Sequence, residues 1–125
     1  MPLDQNFIAR DVETGMVVAN RVTVATGRAQ RAIGLLGRNH LAPGEALWIA
    51  PCHGVHTWFM RFSIDILAMD KDGMVVDAVS MLKPWRMRLP RPGAVSVLEL
   101  PAGTLLDART KLGHRIKIQD GTRQD

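Results

Sequence analysis

Every even-numbered residue from Met60 to Ala68 is apolar: Met60, Phe62, Ile64, Ile66 and Ala68. Only an extended strand gives residues two apart a common face. The stretch from Val55 to about Met69 is therefore a predicted strand, and a strand needs a sheet to receive it. The odd positions are mixed, with Thr57, Phe59, Arg61, Ser63, Asp65, Leu67 and Met69. Period two places Arg61, Ser63 and Asp65 in one row, about 13 Å long if straight. Burying charge is costly unless the charge is paired, so this row in apolar text is the chain's main chemical signal. Asp70-Lys71-Asp72-Gly73 reads as a tight turn and Met74–Leu82 as the returning strand.

The remaining text is also strand-rich. Strands are predicted near Phe7–Val12, Met16–Asn20, Arg21–Ala25, Ala46–Ala50, Ala94–Leu100 and His114–Gln119, with Glu13-Thr14-Gly15 and Pro43-Gly44 as breaks. One helix is clear at Gly27–Leu36. Thr26 is its N-cap, Ala29, Ile33 and Leu36 form its stripe, and Gly37 stops it. A second, short helix is expected over Thr104–Leu112. Lys83–Gly93, with three prolines and four basic residues, reads as an extended loop. The expected fold class is mainly β, a compact β-sandwich or distorted barrel of seven to nine strands with one short α-helix at Gly27–Leu36.

A chain of 125 residues is the length of one domain, with a core expected over about 5–119 and a frayed tail at 120–125. Hydrophobic residues make up 46% and charged residues 22%, enough apolar material for one core without metal or disulfide staples. Cys52 is the sole cysteine, which excludes an intrachain disulfide. No apolar run reaches the roughly 18 residues of a membrane span, and the N-terminal text lacks the pattern of a secretory leader. A soluble, cytoplasmic protein is the expectation. The net charge of +4 gives a mild preference for polyanions.

Four pieces of text resemble one family: ATGRAQRAIGLLGR (Ala25–Arg38), GVHTWFMRFSIDILAMDKDG (Gly54–Gly73), LKPWR (Leu82–Arg86) and VLELPAG (Val97–Gly103). They occur in the order and spacing of the widespread, mainly bacterial domain-of-unknown-function family 192, and the likeness runs from about Val17 to Ile118. The resemblance implies a small, mainly β domain with a short helix and no established activity. Carried over by position, it points to Arg31, Gly34, Leu35 and Arg38, then to His56, Thr57, Met60, Ile64, Asp65 and Asp70, and to Pro84, Glu99, Leu100 and Gly103. Ser63 stands where proline is common, and His114 where an aspartate is usual.

The residues offer several chemistries, each beside a structural alternative. Asp65 is either an acid, base or ligand anchor, or a buried carboxylate held by backbone N–H groups or by an arginine such as Arg61 or Arg31. Glu99 is a second carboxylate in a strand; Asp65 with Glu99 or with His56 would make a hydrolase-like site, the two acids only if their strands were neighbours facing one pocket. Cys52, His53 and His56 are possible metal ligands, but a structural site wants four, and His53 and His56 fall on opposite faces of a straight strand. Lys83, Arg86, Arg88 and Arg91 around Trp85 make a short basic patch; it lacks any nucleic-acid-binding motif.

No complete catalytic constellation and no cofactor motif is visible. The leading expectation is a non-catalytic binding or accessory domain holding a polar or anionic ligand, or a partner segment, near Arg31, Arg61, Asp65 and Arg86. The alternatives are the hydrolase-like enzyme and a module that binds nucleic acid or a partner through the basic loop.

Overall fold

In the computed structural model, residues 7–25, 40–51, 55–56, 60–88 and 91–121 are described, Val55 and His56 by their backbone. Nine strands fall in these segments: β1 (Phe7–Asp11), β2 (Val17–Ala25), β3 (Glu45–Ile49), β4 (Val55–His56), β5 (Ile64–Met69), β6 (Val75–Leu82), β7 (Met87–Arg88), β8 (Ser96–Pro101) and β9 (Ile116–Asp120). A short helix, α1, spans Thr104–Ala108. Seven strands form one sheet in the order β6-β5-β8-β3-β2-β1-β9, and β4 pairs with β7 in a two-stranded ribbon. Pairing is antiparallel except between β2 and β3, which run parallel. Parallel neighbours need a long crossover. The predicted helix at Gly27–Leu36 lies in that connection, outside the described residues.

The two edges of the large sheet meet at one end. Met74 bridges Arg115, and three hydrogen bonds join the segments: Val75 N–H to His114 O (2.8 Å), Gly113 N–H to Val75 O (3.0 Å) and Ile116 N–H to Gly73 O (2.8 Å). The sheet is thus a distorted barrel closed at the Gly73 end, not a sandwich. Gly73 permits the approach. Its φ is +83°, and a Cβ there would meet the Ile116 carbonyl oxygen at 2.5 Å.

Each face of the sheet carries its own core. The enclosed face collects Val22, Leu67, Met69, Val75, Leu98, Leu100 and Ile116, with Leu105 and Ala108 of α1 plugging the interior. The outer face collects Leu47, Ile49, Ile64, Ile66, Ala68 and Val97, with Leu41, Met60 and Ala94 laid over it. The central strands β5 and β8 are consequently buried on both sides. Their continuous apolar text follows from that, since a strand covered on both faces has no solvent side to mark with polar residues.

The predicted strand Val55–Met69 is interrupted. Residues 60–63 are not strand, with Arg61 and Phe62 in a bend, and strand resumes at Ile64; residues 57–59 lie outside the described residues. The continuous row of Arg61, Ser63 and Asp65 therefore does not form: Arg61 is exposed while Asp65 is sealed. The expected boundary between Asn20 and Arg21 is likewise absent, because β2 runs unbroken from its pairing with β1 into its ladder with β3.

Candidate functional site

Asp65 sits on β5 with no exposed surface. Its Oδ1 accepts the N–H of Met81 at 2.8 Å, and its Oδ2 accepts those of Gly103 at 3.1 Å and Leu105 at 2.9 Å. Among the described residues its partners are backbone amides, one of the structural alternatives weighed for it, and not the guanidinium of Arg61; Arg31 lies outside those residues. The amides explain the local sequence. Gly103 is the N-cap of α1 and brings no capping side chain, so β5 supplies the acceptor that the helix start lacks. Met81 adopts φ +57° where β6 slips in register against β5. A left-handed, non-glycine residue is costly, and the bond to Asp65 offsets that cost.

Glu99 lies on β8, the neighbour of β5, as the hydrolase-like reading required. The register separates the two acids: Asp65 is opposite Leu100, and Ile66 is opposite Glu99. Directly opposed residues share a face and successive residues alternate. Asp65 thus points into the barrel with Leu100, and Glu99 points outward with Val97 and Ile66. They do not converge on one pocket. Burial pushes the Glu99 carboxyl up to about 7, and among the described residues its buried Oε2 has no hydrogen-bond partner.

A cluster that sequence reasoning missed joins three segments. Asp11, fully buried at the end of β1, accepts Thr110 Oγ1–H at 2.8 Å and lies 2.8 Å from His114 Nδ1 through Oδ2, while Oδ1 accepts the N–H of Glu13 at 2.9 Å and Thr14 at 3.3 Å. So short a contact to a carboxylate needs the proton on Nδ1. The Lys111 N–H, 3.4 Å from the same nitrogen, then finds no lone pair and is no hydrogen bond. Burial alone would raise the Asp11 carboxyl, but the bonds from His114, Thr110, Thr14 and Glu13 outweigh it and hold it below the usual carboxylate value. The cluster does not build a nucleophile, because the Thr110 hydroxyl proton is committed to the carboxylate and not to the imidazole. It ties the end of β1 to the exit of α1 and the entry of β9. The Asp11-Glu13-Thr14 text, an aspartate ahead of a turn, was the available signal.

The basic loop is partly committed. Arg88, on β7, grips Asp77 of β6 through two bonds, Nε to Oδ2 at 2.7 Å and Nη2 to Oδ1 at 2.8 Å, and Arg91 Nε lies 3.6 Å from Oδ1. These bonds outweigh the desolvation of Asp77 and depress its carboxyl. Arg61 and Arg86 are exposed, and each has an interaction partner. Cys52 and His53 lie outside the described residues. His56 is placed only by its backbone, opposite Met87. Among the described residues no cluster of three or more His, Cys, Asp or Glu could hold a metal, and no helix is long and apolar enough to cross a membrane.

Three hollows open on the described surface. One of about 410 Å³ lies between β2 and α1, with Asp107 at its rim. One of about 350 Å³ borders the Asp70–Gly73 turn and mixes acidic with basic residues. The largest of the three, about 500 Å³, runs between β6 and α1 where the barrel is not closed. Ala78 and Ser80 form one wall, Leu105, Leu106 and Leu112 the other, and Arg109 and Lys111 are its charged residues. Leu106 is 79% exposed and Leu112 62%.

Comparison with known proteins places this barrel in a family. The model for the domain of unknown function DUF192, described as an uncharacterized ACR, matches residues 8–118. The chain belongs to the DUF192 family. It is similar to the UPF0127 proteins of two archaea. That of Pyrococcus abyssi is 34% identical over 103 residues, covering 78% of this chain and 85% of that protein. That of Pyrococcus horikoshii is 34% identical over 102 residues, covering 77% and 85%. These sequence relatives are archaeal, so they do not support a bacterial assignment. Two solved structures share the DUF192 fold. A protein of unknown function from Novosphingobium aromaticivorans superposes with a TM-score of 0.75 at 22% identity, over 89% of this chain and 82% of that one. A putative transcription regulator from Sinorhizobium meliloti superposes with a TM-score of 0.77 at 21% identity, over 89% and 90%.

Proposed function

We propose that this domain is a non-catalytic binding module that holds a segment of a partner protein in the groove between β6 and α1. The observation that carries the reading is the groove itself: an unclosed stretch of barrel wall lined by Leu105, Leu106 and Leu112, two of them strongly exposed. Large exposed apolar side chains gathered at a concave site mark interaction surfaces. The carboxylates that chemistry would need are occupied elsewhere or separated. Asp65 caps a helix and pins a bulge, Asp11 ties three segments, and Glu99 faces away from Asp65.

The expected binding centre at Arg31, Arg61, Asp65 and Arg86 loses its anchor in this reading, because Asp65 is spent on backbone amides. The name of the Sinorhizobium protein raises a nucleic-acid role for that relative. Here such a role would run through the basic loop, and Arg88 and Arg91 already neutralise Asp77.

A random peptide library displayed against the protein tests the reading. Selected peptides are expected to lose binding to a Leu106→Asp/Leu112→Asp variant whose melting temperature is unchanged, since both side chains are exposed. Selection of no peptides, or of peptides that bind the variant equally, overturns it.

A further inference from the structure

We infer that the groove receives its partner by strand addition: an extended, acidic segment of another protein pairs with the outer edge of β6. This rests on the reading of the groove as a partner-binding face, and adds how the partner is held and what charge it carries.

β6 ends the strand order of the large sheet. Among the described residues its far side is paired only at the closed end, through Val75. From Asp77 to Ser80, short of the slip where the Met81 N–H is taken by Asp65, no strand among the described residues lies on that far side. An edge of this kind presents a row of main-chain donors and acceptors at the spacing another strand requires. The groove follows that row. Ala78 and Ser80, two residues apart, line it with small side chains, leaving room for the alternate side chains of an incoming strand. Leu105, Leu106 and Leu112 supply an apolar wall for them.

The sign of the partner follows from the rim. The charged residues lining the groove are Arg109 and Lys111, both basic. Asp77, the carboxylate on this strand, is already neutralised by Arg88 and Arg91. Acidic residues flanking an apolar core would find opposite charge here. A second copy of this chain presenting its own β6 would bring another Arg109 and Lys111 to the same place, like charge against like.

Three synthetic peptides test the inference on the intact protein: one alternating valine and glutamate, one alternating valine and lysine, and the first with alternate amides N-methylated. Binding is read by fluorescence polarisation at low salt and by amide shifts in nuclear magnetic resonance. The valine–glutamate peptide should bind and shift the amides of Asp77–Ser80. N-methylation on the pairing edge should weaken it at least tenfold, as should Arg109→Glu with Lys111→Glu. Equal binding of the methylated peptide overturns strand addition, and equal or tighter binding of the valine–lysine peptide overturns the acidic class. No binding of the valine–glutamate peptide, or a dimer forming through Ala78 instead, also overturns the inference. None of these results touches the groove reading, which the displayed library decides separately.

Discussion

Without the Asp65 carboxylate, three backbone N–H groups would lose their acceptor, that of Leu105 in a buried bond and those of Met81 and Gly103 in partly buried ones. Each orphaned donor carries a desolvation penalty larger than the net worth of an ordinary hydrogen bond. Asp65→Ala is therefore expected to cost on the order of 4 kcal/mol. In urea the midpoint should fall at unchanged slope. A loss under about 1 kcal/mol would mean that water or a relaxed backbone replaces the carboxylate. Glu99 makes the opposite case, a carboxyl that destabilises when charged. Below the ordinary carboxyl value of 4.5 it is neutral whether the chain is folded or not. As pH rises from there to about 7 the unfolded chain ionises it and the folded chain does not. Stability then falls across that window, by on the order of 3 kcal/mol, and stays lower above it. Glu99→Gln should remove this dependence. The stability difference between variant and wild type should grow from pH 5 to pH 8, and parallel profiles would refute the assignment. Asp11 and Asp77 have depressed carboxyls, so their contribution is present above the ordinary value and lost in stronger acid, outside that window.

Among the elements, the β4–β7 ribbon has the least of its own to hold it. Its described pairing is Val55 with Arg88 and His56 with Met87, and a two-stranded ribbon is marginal alone. The Arg88–Asp77 pair docks it on β6. Arg88→Ala should raise hydrogen exchange at Val55, His56 and Met87 at least tenfold while the amides of β8 keep their protection. Uniform acceleration would show that the pair supports the whole barrel instead. The elements also show where the text was readable. The turn at Asp70–Gly73, the return strand to Leu82 and the strand ending at the Pro101 turn were legible from local alternation and turn chemistry. The break at residues 60–63 was not, because the even apolar positions continue through the bend: Met60 packs against the outer core while Arg61 turns to solvent. Thr104–Leu112 was read as helix throughout. It ends at Ala108, because Arg109 adopts φ +58° and Thr110 is turned toward Asp11, a contact that local text does not carry.

Across the molecule, a mainly β fold was legible, through strand density and the family likeness, but the choice between sandwich and barrel was not. That choice depends on which edges meet, and the meeting is made by Gly73 and Ile116, far apart in the chain. The candidate site was half legible in the same way. Asp65 and Glu99 stood out because each is a charge in apolar strand text. Their faces did not, since those are set by a register between strands some way apart, and one step of slip reverses every side chain. The pairing of β2 with β3 was also beyond local reading, because parallel neighbours leave no turn between them to announce their union.

A hoop clasped at one point behaves as a cuff. Between Gly73 and Ile116 the rim is pinned, and the Asp65–Met81 bond holds the far end of β6, so the stretch of lip between them, around Ala78 and Ser80, is expected to yield first. Thermal breathing and the arrival of a guest would then draw on the same compliance, and stiffening that lip would slow both.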